Sequence, residues 1–213
     1  LGLVTSVPLT RTVLDAKRTS KHVVSSFWIA VVAVGAAAGV FALAGAEIVE
    51  AFLGSAYADD VGSEIGRLVV LFAPWAVVSV GVSVTFPLVF VEGRTRRLPA
   101  LALGALVIHI PIALLGQVAL GLDGLALALA VTTAVVLGCA LAILDALEPA
   151  ARGLGVAALV VALIAVGAFV PPGVLIGTTI VAAAVGVCLY GLLLVAVRPL
   201  ALLEAWKYLR TLS

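Results

Sequence analysis

The sequence has 213 residues, of which 64% are hydrophobic and 11% charged, and its mean hydropathy is +1.35. A soluble domain carries roughly 25% charged residues, so a chain this apolar has too little polar surface to cover itself in water. The net charge is +1 and no basic patch is interleaved with aromatics, which excludes nucleic-acid binding.

The chain contains no Met. It opens on an apolar stretch, Leu1 to Pro8, without the basic region and cleavage site of a signal peptide. That opening reads as the end of an earlier helix, and the sequence as a fragment with its N-terminal part upstream. A bilayer core of about 30 Å needs roughly 20 apolar helical residues. Charge-free stretches predict spans over 23–46, 68–91, 98–122 and 124–144. The run 153–197 is too long for one crossing, and Pro171-Pro172-Gly173 is expected to break it into spans 154–170 and 174–197.

The segments between spans differ in character. The acidic stretch 54–66, with Asp59, Asp60 and Glu64, reads as a hydrated external loop, either a solvated acidic face or a divalent-cation contact. Glu92 to Pro99 is a basic internal turn, and Gly121 to Gly124 a very short external one. After Pro199, Leu202, Leu203, Trp206 and Leu209 fall near one helical face, which predicts a short interfacial helix with Trp206 and Tyr208 at headgroup level. Of the 12 basic residues, only Arg67 lies on the side opposite the rest. Lys and Arg accumulate in cytoplasmic loops, so both termini of the fragment are expected in the cytoplasm. The fold expected is all-α: a polytopic membrane protein with six transmembrane helices in one bundle over 1–213, plus the short C-terminal interfacial helix.

Polar residues within the spans are few. His109, two residues before Pro111, is the one imidazole deep in a span. Intramembrane ionisable groups default to functional hypotheses. His109 is therefore read as a proton or substrate contact, or else as a neutral imidazole bonded to a neighbouring helix. Gln117, about two turns on, and Thr85 are further candidates for a substrate pathway. Pairing across helices or with their own backbone is the alternative for such groups, Ser79 and Ser83 included. Arg94, Arg96 and Arg97 are candidates for holding lipid phosphates, although a topology signal alone accounts for them. Gly35 and Gly39 form a G-x-x-x-G expected to permit close helix packing. The cysteines, Cys139 and Cys188, lie in apolar spans and read as small, buried, inert thiols. No metal-ligand spacing, phosphate loop or catalytic set is visible, so no cofactor, metal or enzymatic activity is expected.

The order of certain phrases carries a resemblance. Val7-Pro8-Leu9 is followed by Gly45-Ala46-Glu47-Ile48-Val49 and by Phe52-Leu53-Gly54-Ser55-Ala56-Tyr57. Then come Gly93-Arg94-Thr95-Arg96-Arg97-Leu98-Pro99 and Gly121-Leu122-Asp123-Gly124-Leu125-Ala126-Leu127-Ala128. Over Val7 to about Leu147 the chain resembles the C-terminal part of the multidrug/oligosaccharidyl-lipid/polysaccharide (MOP) exporter superfamily, and most closely a bacterial polysaccharide or O-antigen flippase. The resemblance implies a complete protein in the bacterial inner membrane that moves a polyprenyl-diphosphate-linked oligosaccharide between leaflets by alternating access. Its partners would be membrane lipid, the lipid-linked oligosaccharide and an N-terminal bundle of the same protein. Competing readings are a drug or cation antiporter of the same superfamily, an intramembrane enzyme such as a lipid-linked glycosyltransferase, and a non-transporting scaffold. The antiporter would want acidic groups in an intramembrane cavity, and the enzyme would want catalytic acids at a membrane face.

Overall fold

The computed structural model describes residues 16–54 and 60–197. They form six α-helices: α1 (Ala16–Leu53), α2 (Asp60–Val91), α3 (Leu98–Leu120), α4 (Leu122–Ile143), α5 (Leu147–Ile176) and α6 (Ile180–Val197). A single 3-10 turn, Thr95–Arg97, leads into α3. All six helices are long and apolar enough to cross a membrane. Helix is what such sequences must form in hydrocarbon, where only an internal ladder satisfies every backbone N–H and C=O. The chain is an all-α polytopic membrane protein. The expected C-terminal interfacial helix and the opening stretch Leu1 to Pro8 lie outside the described residues.

The expected spans 23–46, 68–91 and 154–170 fall inside α1, α2 and α5, whereas those expected over 98–122, 124–144 and 174–197 overrun α3, α4 and α6 by one to six residues. The 38 residues of α1 reach about 57 Å at 1.5 Å per residue, well beyond the hydrocarbon core. Its helical geometry is interrupted at Ala44 (φ −122°, ψ 16°). The 32-residue α2 continues through Pro74 and Pro87. Because α2 begins at Asp60, residues 60–66 of the acidic stretch read as a loop over 54–66 are helical: Asp60 opens the helix, and Glu64 bonds Arg67 one turn on at 2.8 and 3.1 Å.

The break expected at Pro171-Pro172-Gly173 does not occur. Helix α5 runs through both prolines to Ile176, and the chain turns at Gly177 (φ +93°), whose N–H bonds the Gly173 carbonyl at 3.2 Å. Proline removes two donors from the ladder, whereas ending the helix there would strand the carbonyls of a whole turn in lipid. Glycine at positive φ ends it instead, because no Cβ opposes that conformation. Thr179 then caps α6 through a bond from the Ala182 N–H to its hydroxyl. Among the described residues, each connection between successive helices carries a residue at positive φ: Gly54, Gly93, Gly121, Asp145 and Gly177.

The chain divides into two compact units. The first contains residues 16–30 and Pro74–Ala157. Its core joins Val23 of α1, Val84, Leu88 and Val89 of α2, Leu137 and Leu141 of α4, and Ala146 and Ala150 near the start of α5. Helix α3 packs on α4, and their backbones touch where Gly116 faces Gly124; a Cβ on either would collide with the other's main chain. No residue of α3 is buried. Leu98 and Leu101 pack against the core of the unit, while most of the helix's other large apolar side chains face outward, as Val118 does at 89% exposure.

The second unit contains Val31–Ala73 and residues 158–197. Phe169 and Tyr190 are its aromatic centre, with ring centroids 5.8 Å apart and planes tilted by 42°. Gly39 and Gly186 both press against the Phe169 ring, and Gly35 lies under the Tyr190 hydroxyl, which donates to the Val32 carbonyl at 3.0 Å. The G-x-x-x-G of α1 thus makes room for aromatic side chains from α5 and α6. Backbone-to-backbone approach in this unit occurs at Gly45 and Gly66, where α1 meets α2.

Candidate functional site

The candidate pathway residues all belong to the first unit, Thr85 on α2 and His109 and Gln117 on α3. His109 is half-buried on α3, and its Nδ1 lies 3.0 Å from Thr132 Oγ1 on α4. The Thr132 hydroxyl donates its one hydrogen to the Ala128 carbonyl at 2.9 Å. It therefore accepts from His109, which places a proton on Nδ1 and, in the neutral ring, leaves Nε2 as an acceptor. His109 is thus tied to a neighbouring helix, with the outer edge of its ring remaining for chemistry. Pro111 does not interrupt α3.

Thr85 is fully buried, and its hydroxyl donates to the Gly81 carbonyl one turn back at 2.7 Å. Ser83 does the same toward Ser79 at 2.8 Å, as does Thr133 toward Leu129 at 2.7 Å. These hydroxyls satisfy themselves on their own helices. Gln117 is exposed near the end of α3, and its backbone carbonyl receives the Gly121 N–H at 2.9 Å.

The three arginines separate into different roles. Arg94 donates to the Ile143 carbonyl and to Asp145 Oδ2 (2.7 Å), and its Nε lies 3.2 Å from Glu92. It clamps the end of α4 to the end of α2. The hydrogen bond to Asp145 raises the Arg94 guanidinium above its already high ordinary value; partial desolvation opposes this, and the charges of Asp145 and Glu92 add to it. Arg96 and Arg97 are exposed in the 3-10 turn. They remain the candidates for phosphate, whereas Arg94 is engaged in structure.

Three features escaped the sequence reading. His22 is fully buried near the start of α1, together with Thr19, Ser20, Ser25 and Ser26, so His109 is not the most buried imidazole. Thr19, His22 and Ser26 recur at a spacing that places them on one helical face. The expected first span begins at Val23, which puts Thr19-Ser20-Lys21-His22 just outside it. The second is Glu47, which belongs to α1 and accepts the Ile180 N–H of α6 at 2.8 Å. The third concerns the cysteines: Cys139 and Cys188 are free, as expected, but exposed on the outer faces of α4 and α6. Their spans are apolar on all sides, so apolar surroundings in sequence did not mean burial inside the protein.

Among the described residues, no group of three or more His, Cys, Asp or Glu side chains is placed to hold a metal ion. Comparison with protein-family models, with curated proteins and with solved structures returned no match.

Proposed function

We propose that the chain is the C-terminal bundle of a MOP-superfamily exporter in the bacterial inner membrane, and that the complete protein flips a polyprenyl-diphosphate-linked oligosaccharide from the inner to the outer leaflet. The observation that carries this reading is the position of the resemblance phrases. Phe52-Leu53-Gly54 falls at the end of α1, the Gly93 to Pro99 phrase at the turn into α3, and the Gly121 to Ala128 phrase at the start of α4. Short signatures that coincide with helix ends are what a family of rigid spans on defined turns would carry.

In this reading both ends of the fragment are cytoplasmic, by the asymmetry of Lys and Arg. The pathway lies between this bundle and the upstream one and opens alternately to the two sides. The glycan takes a polar route while the lipid tail stays in the bilayer. His109 meets that route through Nε2, with Thr132 holding the ring. Lipid phosphates dock on Arg96 and Arg97.

The test is a flipping assay on the full-length protein in sealed proteoliposomes, with a fluorescent polyprenyl-diphosphate oligosaccharide as probe and loss of fluorescence to an external quencher as readout. Saturable, protein-dependent transfer between leaflets is the expected result. Transport of organic cations with no transfer of the lipid-linked glycan would replace this reading by the antiporter one.

A further inference from the structure

Beyond these residues, the second unit contains a cavity of about 400 Å³. Glu47 of α1, Ser63 and Arg67 of α2 and Thr178 of the α5–α6 turn supply its polar lining; Phe41 and Leu71 are part of its apolar floor. The volume falls within the range of small-molecule sites, roughly 300–1,000 Å³. The non-helical step at Ala44 lies within the lining segment of α1. The cavity reaches the turn between α5 and α6 through Thr178, a position that suits lipid headgroups if that turn lies at the membrane surface.

We propose that this cavity binds the headgroup of an aminophospholipid, an amphiphile carrying both a phosphate and a primary ammonium. The lining holds an acidic and a basic side chain in one concavity, which matches a zwitterion. Glu47 is fixed by the α6 N-terminus: one carboxylate oxygen accepts the Ile180 N–H at 2.8 Å, which orients the other as an acceptor for an ammonium. The phosphate falls to the side of Arg67, whose guanidinium is held by Glu64, with the hydroxyl of Thr178 as a rotatable donor. The acyl chains continue over the apolar floor.

Charge balance separates this ligand from others. Glu47 (−1), Glu64 (−1) and Arg67 (+1) sum to −1, since Glu64 is bonded to Arg67. A lipid with net negative charge meets that excess, and a zwitterion does not. A choline headgroup has the right charges but no N–H to donate to Glu47. None of these residues is assigned to glycan transport, so the cavity is independent of the flippase reading.

The experiment uses the full chain in phosphatidylcholine liposomes doped with a phosphatidylethanolamine bearing a diazirine in one acyl chain. Cross-links read by mass spectrometry are expected on the segments around 41–47 and 63–71. Unlabelled phosphatidylethanolamine should suppress them about tenfold more effectively than phosphatidylcholine or phosphatidylglycerol of the same chains, the factor one charge-assisted hydrogen bond supplies. Glu47→Gln retains an acceptor for Ile180 but loses the charge, and should bring ethanolamine and choline lipids to equal competition. Equal competition by all three lipids on the unaltered protein would overturn the proposal, as would stronger competition by phosphatidylglycerol. Persistence of the ethanolamine preference in a folded Glu47→Gln protein would also overturn it. Should that variant not fold, competition on the unaltered protein decides alone.

Discussion

Asp145 and His109 show what single side chains contribute. Helix α4 ends in the pattern that glycine usually completes: the Ala146 N–H bonds the Leu141 carbonyl at 2.9 Å and the Asp145 N–H the Ala142 carbonyl at 3.1 Å, with Asp145 at φ +55°. Aspartate tolerates this conformation better than most residues, and here its carboxylate also holds Arg94. Asp145→Ala should therefore cost more than Asp145→Asn, which keeps the local tolerance and loses only the ion pair. The difference expected is about 1 kcal/mol, the strain of a non-glycine residue at positive φ, readable as unequal shifts in thermal unfolding in detergent. Equal destabilisation would mean that the clamp, and not the backbone, sets the cost. For His109, nitrogen NMR on ring-labelled protein should find the proton on Nδ1, with Thr132→Val abolishing that preference. In transport, His109→Gln should fail like His109→Ala if the imidazole must become cationic, and should largely recover activity if the side chain only packs.

At the level of helices, contact between small and large residues decides what is held rigid. Phe169 sits between two glycines and packs at a tilt against Tyr190, so Phe169→Ala opens a cavity and should cost about 3–5 kcal/mol. Tyr190→Phe removes only the bond to the Val32 carbonyl and should cost about 1 kcal/mol or less, so thermal unfolding should rank the two far apart. Gly124→Val should separate α3 from α4 at their hairpin, seen as faster proteolysis at Gly121 with the other helices intact. The existence and order of the helices were legible because an apolar run of span length has one stable form in lipid. Several of their ends were not, because distant partners set them: Glu47 helps start α6 from 133 residues away, and Arg94 closes α4 from 49 residues away. Pro171 and Pro172 misled because the rule that proline breaks helices is learned in water, where a freed carbonyl finds another partner. The candidate site was legible in its residues and not in its bonds. His109 was found by its rarity in an apolar span, whereas its partner Thr132 has no mark in the sequence, and His22 lies just outside the first expected span.

At the scale of the whole molecule, six crossings are expected to place their turns alternately on a basic side and an acidic one. The structure makes a specific demand of that arrangement. Ser63 and Thr178 line the same cavity, although 115 residues separate them, and so must face the same side. Thr95 follows Arg94, which bonds Asp145, so Thr95 and Asp145 must share a side as well. The decisive measurement is accessibility of single cysteines at these four positions to a membrane-impermeant maleimide in sealed cells, in a background where Cys139 and Cys188 are serine. Labelling of Ser63→Cys and Thr178→Cys from outside, with Thr95→Cys and Asp145→Cys labelled only after permeabilisation, is the result predicted. Labelling of Ser63→Cys and Thr178→Cys from opposite sides would contradict the six-span fold, and external labelling of Thr95→Cys would contradict the orientation on which the transport reading depends.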